Sequence, residues 1–188
     1  MVLVESFEPP LSHARMATVL RKIDNKHRWN KKPEGDLAAW LKEGELPADA
    51  LQDIKTNNNR LSVFLLEDEA SATLERVVGA LAAKRDYLAK FDYVLFSSTL
   101  LAELGIEWEA TLGDTFDGVV NACHRDLVKI TATKLADFGT TLIRKGKAER
   151  KSIQEAGKCI GESIREKFID SEKVPAQIVQ QMQERGIQ

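Results

Sequence analysis

The sequence has few of the residues that mark a disulfide-bonded, metal-binding or membrane-spanning chain. Its 188 residues include only two cysteines, Cys123 and Cys159, and both lie in sequence typical of apolar helix stripes. Buried free thiols are therefore favoured over a disulfide or a metal pair. The three histidines show no zinc-binding spacing. No apolar run reaches the roughly 18 residues that a membrane-spanning helix needs, so such a helix is excluded.

A strong charge of one sign is absent too. The formal net charge is -2 and the isoelectric point is near 6.0, so no global field attracts the chain to nucleic acid or to an acidic membrane. The first ten residues, MVLVESFEPP, have no basic stretch before their apolar residues and are not typical of a signal peptide. We therefore expect an intracellular, cytoplasmic protein in a reducing compartment, without a membrane partner.

The periodicity of the sequence predicts an α+β fold dominated by helices. Three segments have the short, β-branched or alternating character of strands: RLSVFLL over 60–66, FDYVLF over 91–96 and IEWEAT over 106–111. A helix is predicted over 12–25, and the chain is predicted to be helical from 114 to its end. The expected fold is a small two- or three-stranded sheet packed on helices, followed by a C-terminal helical hairpin.

These predictions describe one domain in three parts. Residues 1–60 form a helical or irregular segment that packs on the core, residues 60–146 form the α+β core, and residues 147–188 form a C-terminal helical extension. The apolar face of one helix in this extension contains Gly157 and Gly161, small residues that let another helix approach closely. We therefore expect self-association through the C-terminal helices, or a protein partner bound by them.

Residues 124–139, HRDLVKITATKLADFG, contain the HRD and DFG triplets of the protein kinase signature. No GxGxxG loop precedes the stretch, and Thr131 stands where a kinase has its metal-binding asparagine. The chain is therefore not predicted to be a protein kinase, and no cofactor is predicted. Apolar residues at helical spacing instead predict that the stretch lies in the longest helix, with Asp126 pointing away from His124.

One group of residues in that predicted helix could perform acid–base chemistry. Asp117, Asn121 and His124 are spaced at i, i+4 and i+7, so a helix places them on one face. The asparagine could orient the imidazole and the carboxylate could raise its pKa, as suits a general base. The alternative interpretation is a histidine at the edge of the core that bonds to a neighbour.

Carboxylates near two predicted strands could bind a Mg²⁺ ion. Glu67 and Asp68 follow the first strand and Glu107 lies on the alternating one, so the three would converge if the strands pair. The alternative is structural, since Asp68 can begin a helix and Glu107 can face water. The structural alternative is favoured, and no metal is predicted.

Positive charge is concentrated in the segments 15–32 and 144–151, which could contact nucleic acid. The candidate residues are Arg15, Arg21, Lys22, Lys26, Arg28, Trp29, Arg144, Lys145, Lys147 and Arg150. Lysine and arginine bind phosphates, and a tryptophan among them can stack on a base. The alternative is a solvated surface that acidic neighbours neutralise.

Three functions are consistent with these features. The first is a non-enzymatic protein-interaction or regulatory protein, oligomeric through its helices, and it rests on the lack of a complete catalytic motif. The second is nucleic-acid binding through the two basic segments. The third is a small hydrolase or nuclease that uses His124 and nearby carboxylates.

Overall fold

The computed structural model describes residues 17–66 and 73–187. Their central feature is one antiparallel sheet of six strands, in the order β4-β5-β2-β1-β3-β6. The strands are β1 (Thr18–Ile23), β2 (Leu61–Leu66), β3 (Phe91–Ser97), β4 (Glu107–Ala110), β5 (His124–Val128) and β6 (Lys147–Lys151). The prediction of a small sheet with two or three strands is therefore wrong.

Helices connect and cover these strands in the described part of the chain. The α-helices are α1 (Leu74–Ala83), α2 (Thr99–Glu103), α3 (Gly118–Ala122), α4 (Ala132–Lys145), α5 (Ile153–Arg165) and α6 (Ala176–Glu184). Short 3-10 helices lie at Lys26–Trp29, Gly35–Ala39, Ala48–Ile54 and Ser171–Lys173.

The three predicted strands correspond to β2, β3 and β4, whereas β1, β5 and β6 replace predicted helices. In β1, the adjacent residues Val19 and Leu20 are both fully buried, one in each of the two cores that flank the sheet. A strand covered on both faces loses the apolar–polar alternation that identifies it. β6, with the sequence KAERK, is a polar edge strand and offers no such alternation either. All three predicted parts of the domain contribute strands to the one sheet.

The HRDLVKITATKLADFG stretch is a strand followed by a helix, which corrects the prediction of one long helix. α3 ends before it, and β5 begins at His124. After β5 the backbone of Lys129 takes a φ of 55°, a left-handed conformation that turns the chain out of the strand. The Thr131 side chain then accepts a hydrogen bond from the Lys134 amide at 3.3 Å and caps α4.

Two layers of helices pack on the sheet. On one side, here called the α1 face, α1, α5 and α6 enclose a core that includes Leu20 and Tyr93. On the other side, called the α4 face, α4, α2 and the 3-10 helix at Ala48–Ile54 enclose a core that includes Val19 and Val63. Each central strand supplies residues to both cores, because successive side chains on a strand point to opposite faces.

The C-terminal helices α5 and α6 belong to the core of the chain. A Cβ atom placed on Gly79 of α1 would lie 2.6 Å from the Cys159 carbonyl oxygen of α5, so α1 and α5 pack very closely. In α6, Ile178 and Met182 are buried. These apolar faces contact residues of the same chain, and self-association through the C-terminal helices stays a prediction.

Both cysteines are buried and free, as predicted from their apolar surroundings. Burial raises the pKa of the Cys159 thiol to about 11, so this group stays protonated near neutral pH. Among the described helices, none has the length and apolar character needed to cross a membrane.

Candidate acid–base site

A cavity of about 490 Å³ opens on the α1 face, beside β5, β2 and β1. Its lining includes Ser62 of β2 together with His124 and Asp126 of β5. The strand register places Ser62 opposite Asp126 and Phe64 opposite His124. Because residues two apart on a strand point to the same face, His124 and Asp126 lie side by side. The prediction that they point apart depended on a helix and is wrong.

The imidazole ring of His124 is held on two sides. Its Nδ1 atom lies 2.9 Å from the Thr111 hydroxyl oxygen and 3.3 Å from the Thr111 carbonyl oxygen. The Phe64 ring packs against it edge-on, with 5.2 Å between the ring centroids. The other ring nitrogen, Nε2, faces Asp126. Thr111 and Phe64 therefore fix the orientation of the imidazole relative to the cavity.

The Asp126 carboxylate lies between His124 and Ser62. Its Oδ1 atom is 3.8 Å from His124 Nε2 and 3.4 Å from Ser62 Oγ, and its Oδ2 atom is 3.5 Å from an Arg60 nitrogen. Arg60 also pairs with Glu109 of β4 at 3.0 Å. The three contacts to Asp126 are longer than strong hydrogen bonds, so the carboxylate retains the capacity to bind a ligand.

This arrangement brings a hydroxyl, a carboxylate and an imidazole to the wall of one open cavity. It differs from a serine–histidine–aspartate triad, because the carboxylate and not the imidazole lies between the other two groups. Asp126 can accept a proton from water or from a hydroxyl, and His124 can supply or accept another. Arg60 lines the same cavity and places a positive charge next to the Asp126 carboxylate.

The predicted grouping of Asp117, Asn121 and His124 does not form. Asp117 caps α3 and binds the Arg76 guanidinium through both carboxylate oxygens, at 2.6 and 2.9 Å. Asn121 accepts hydrogen bonds from the Thr115 amide and hydroxyl, both at 2.7 Å. Since α3 ends before His124, the helical spacing does not continue across the three residues. Of the three, only His124 lines the cavity.

Of the three predicted metal-binding carboxylates, the structure describes only Glu107, while Glu67 and Asp68 lie outside the described residues. Glu107 is exposed on the edge strand β4 and accepts a hydrogen bond from Lys129 Nζ at 2.6 Å. That contact holds the pKa of the Glu107 carboxyl below its usual value. Within residues 17–66 and 73–187, no group of three or more His, Cys, Asp or Glu side chains could hold a metal ion.

The first basic segment includes two residues that face inward. Arg21 donates to the backbone oxygen of Asp53 at 2.6 Å and to that of Ser62 at 2.8 Å. Trp29 is 2% exposed and donates its indole N–H to the Asp53 carboxylate at 2.6 Å, so its ring is not available for stacking. The remaining candidates lie apart: Arg15 outside the described residues, Lys26 and Arg28 on the 3-10 helix after β1, and Lys22 in the lining of the cavity.

The second basic segment is engaged with neighbouring parts of the chain. Its contacts join Arg144 to the Gly44 carbonyl oxygen, Lys145 to Glu103, Lys147 to Glu149 and Arg150 to Asp92. The candidate residues of the second basic segment therefore contact acidic or backbone groups of this chain.

Two members of the acid–base site, Ser62 and Asp126, are not among the site candidates predicted from the sequence. The signal that identifies them is the two-residue alternation of Ser62 with Phe64 and of His124 with Asp126, which has meaning only when both segments are strands that pair. Comparison with known proteins adds no assignment: no family model, no curated protein and no solved structure matches this chain.

Proposed function

We propose that this protein is a small hydrolase that works by acid–base catalysis in the cavity beside β5, β2 and β1. The observation that carries the proposal is the Asp126 carboxylate, which lies between a serine hydroxyl and a histidine ring in an open cavity. The Asp126 side chain is 16% exposed and that of His124 is 10% exposed. A ligand in the cavity can therefore reach the carboxylate, while the imidazole is more sheltered.

In this proposal Asp126 is the general base. It removes a proton from water, or from the Ser62 hydroxyl, as that oxygen attacks the substrate. The bond to the leaving group breaks, and protonated His124 donates a proton to the leaving group. If water attacked, transfer of a proton from Asp126 to His124 then restores the starting state. If Ser62 attacked, the same proton transfer prepares a second step, in which Asp126 removes a proton from water as its oxygen attacks the covalent intermediate. The bond to the Ser62 oxygen then breaks, His124 donates its proton to that oxygen, and proton transfer from Asp126 to His124 completes the cycle. Thr111 is a positioning residue, because it orients the imidazole through Nδ1.

Hydrolysis of p-nitrophenyl acetate and of bis(p-nitrophenyl) phosphate tests the proposal with an ester and a phosphodiester. We expect turnover of at least one of them, with kcat/KM reduced about 10²- to 10⁴-fold in Asp126→Asn, the usual contribution of a general base. Asp137→Asn is the matched control, because Asp137 is an exposed carboxylate on α4. Turnover of neither compound, or turnover that survives Asp126→Asn, contradicts the hydrolase proposal.

The Ser62→Ala variant separates the two routes. If the Ser62 oxygen attacks the substrate, a covalent intermediate forms and a burst of product precedes steady turnover. Ser62→Ala then removes both the burst and the turnover. If water attacks, no burst occurs, and Ser62→Ala retains turnover while Asp126→Asn still loses it.

A second function, protein interaction, is favoured by the edge strand β4. All four residues of β4 are exposed, and among the described strands it pairs only with β5. Trp108 on this strand is 39% exposed, and Leu112 just after it is 82% exposed. An edge strand with exposed apolar side chains can extend its sheet by pairing with a strand of another chain.

Light scattering after size-exclusion chromatography tests whether β4 pairs with a second copy of the chain. We expect a mass above that of the 21.0 kDa monomer that rises with concentration and falls back in Trp108→Lys. Trp40→Lys is the control, since Trp40 is 65% exposed but follows a 3-10 helix outside the sheet. A monomeric mass at every concentration contradicts self-association through β4.

Nucleic-acid binding also stays a proposal, with less support, because Trp29 is buried and the second basic segment is paired with other groups of the chain. A titration with single-stranded DNA at two salt concentrations tests it. Affinity that falls with added salt, and falls further in Lys22→Ala and Lys26→Ala, supports binding through the basic segments. Binding that is absent, or that does not depend on salt, contradicts it.

A further inference from the structure

A second cavity, of about 370 Å³, shares Lys22 with the candidate acid–base site. It lies between the end of β1 and the loop 84–90, which connects α1 to β3. Its charged lining consists of the cations Lys22, Arg85 and Lys90 and the acids Asp24, Asp86 and Asp92. Tyr87, 58% exposed, also contributes to the wall.

Lys22 is a cation without a counter-ion among the described residues. It is half-buried on β1, opposite Tyr93 of β3. Burial, together with repulsion from Arg85 and Arg21, holds the pKa of the Lys22 ammonium below its usual value, although Asp24 acts in the other direction. A negatively charged ligand beside this ammonium would offset both the burial and the repulsion.

Arg85 is fixed in place at the same cavity. Its guanidinium stacks over the Phe91 ring, 4.9 Å from the centroid, and one terminal nitrogen donates to the Lys90 carbonyl oxygen at 2.7 Å. The other N–H groups of the guanidinium make no hydrogen bond with residues that the structure describes. A guanidinium oriented by its own chain is a preformed donor for an oxyanion.

The acids at the cavity do not cancel these cations. Asp92 is already bound by the Arg150 guanidinium at 2.6 and 2.8 Å. Asp24 and Asp86 line the cavity, and no ion pair in the described residues joins either of them to one of its cations. With Asp92 neutralised by Arg150, three cations and two carboxylates remain, which is a net charge of +1.

We propose that this cavity binds the phosphate group of a small molecule between the Lys22 ammonium and the Arg85 guanidinium. A compact ammonium and a planar guanidinium together suit a tetrahedral anion of two charges better than a carboxylate of one. Lys90 adds a third donor, and the Tyr87 ring offers apolar surface to the rest of the ligand. Asp126 and His124 lie outside this lining, so the proposal does not depend on the hydrolase function.

Titration of ¹⁵N-labelled protein with inorganic phosphate at neutral pH tests the proposal. We expect saturable shifts of amide signals within 22–24 and 84–92, with a dissociation constant on the order of 1 mM. Acetate at the same ionic strength should give no saturable shift in these segments. Lys22→Met, which keeps most of the apolar stem, should weaken phosphate binding about tenfold or more, the effect of losing one charged hydrogen bond.

Two control variants separate this site from its surroundings. Lys158→Met removes an exposed lysine of α5 and should leave phosphate binding unchanged. Asp126→Asn should also leave phosphate binding unchanged. The phosphate proposal and the hydrolase proposal can therefore fail independently of each other. Arg85→Lys keeps the positive charge but removes the planar set of N–H donors of the guanidinium, so it should weaken phosphate binding. This variant tests the site even if Lys22→Met does not fold.

Three results would overturn the proposal. The first is the absence of a saturable shift with phosphate. The second is an equal response to acetate, which would indicate binding of any small anion. The third is a response centred on 111–115 and 124–126, which would place the anion in the neighbouring cavity.

Discussion

The free energy that a carboxylate contributes to stability depends on whether its ion pair is buried or exposed to solvent. Asp117 is 1% exposed, binds the Arg76 guanidinium with both oxygens and accepts two backbone amides at the start of α3. We expect Asp117→Asn to lower the free energy of unfolding by about 3 kcal/mol, because it leaves a largely buried guanidinium without its counter-ion. Urea denaturation measures the loss.

Asp114→Asn is the control for that measurement. The Asp114 side chain is 96% exposed and pairs with Lys84 at 3.2 Å. An exposed ion pair contributes less than about 1 kcal/mol, so this variant should unfold at nearly the urea concentration of the unmodified protein. Equal losses of unfolding free energy in Asp117→Asn and Asp114→Asn would show that burial does not determine how much Asp117 stabilises the protein.

Asp92 makes stability depend on pH. Burial alone would raise its pKa, but hydrogen bonds from the Arg150 guanidinium and the Lys26 amide hold the pKa of the Asp92 carboxyl below its usual value. The folded state therefore favours the carboxylate. Its contribution is complete above the unfolded pKa of about 3.9, and is lost as pH falls through the lower folded pKa.

The free energy of unfolding should therefore decrease as pH falls below about 4, and part of that decrease should be missing in Asp92→Asn. Urea denaturation of both proteins, at neutral pH and at several acidic pH values, measures how the free energy of unfolding of each protein changes with pH. The same dependence on pH in both proteins would mean that Asp92 does not contribute to the acid sensitivity.

At the scale of elements, the strands that the sequence predicts are those with a visible apolar or alternating pattern. RLSVFLL, FDYVLF and IEWEAT become β2, β3 and β4. β1 is covered on both faces, so its apolar positions also match a helix, and β6 is a charged edge. For such segments the pairing partners decide the structure, and a single sequence contains no record of which strands pair.

Prediction of the residues at the candidate site required the same distinction between a helix and a strand. The sequence predicts His124 as a candidate on a helix, and the neighbours of His124 change with the element that contains it. On a helix it would share a face with Asp117 and Asn121, whereas on β5 it shares a face with Asp126. Ser62 enters the site only because β2 pairs with β5. That pairing joins Phe64 to His124, 60 positions apart in the chain, and Ser62 to Asp126, 64 positions apart.

Close packing of two helices can be tested at one glycine. A Cβ on Gly79 of α1 would lie 2.6 Å from both the Cys159 carbonyl oxygen and the Ser163 hydroxyl oxygen of α5. Gly79→Ala should therefore push the helices apart and destabilise the protein by about 1–3 kcal/mol, despite the higher helix propensity of alanine. Thermal and urea denaturation measure the change.

Gly118→Ala is the matched control, since no atom lies within 4 Å of the Cβ that it would add at the start of α3. This variant should be neutral, or more stable by up to about 1 kcal/mol because alanine restricts the unfolded chain. If Gly79→Ala were equally well tolerated, the close approach of α1 and α5 would not be required for the fold.

At the scale of the whole molecule, one sheet joins two cores. Val19 and Leu20 are neighbours in β1, yet the first packs in the core of the α4 face and the second in the core of the α1 face. Disruption of either core therefore displaces strands that the other core needs. The acid–base cavity lies beside β5 on this shared sheet, so its geometry also depends on both helical layers.

The two cores should consequently unfold together. Trp29 is buried in the core of the α4 face, whereas Trp40 and Trp108, the other two tryptophans, are exposed. In a Trp40→Phe/Trp108→Phe background, fluorescence reports on Trp29, and far-UV circular dichroism includes α1, α5 and α6 of the opposite face. We expect the same urea midpoint from both signals, as in a cooperative transition. A lower midpoint for circular dichroism would mean that the α1 face unfolds first, which Val19 and Leu20 on one central strand should prevent.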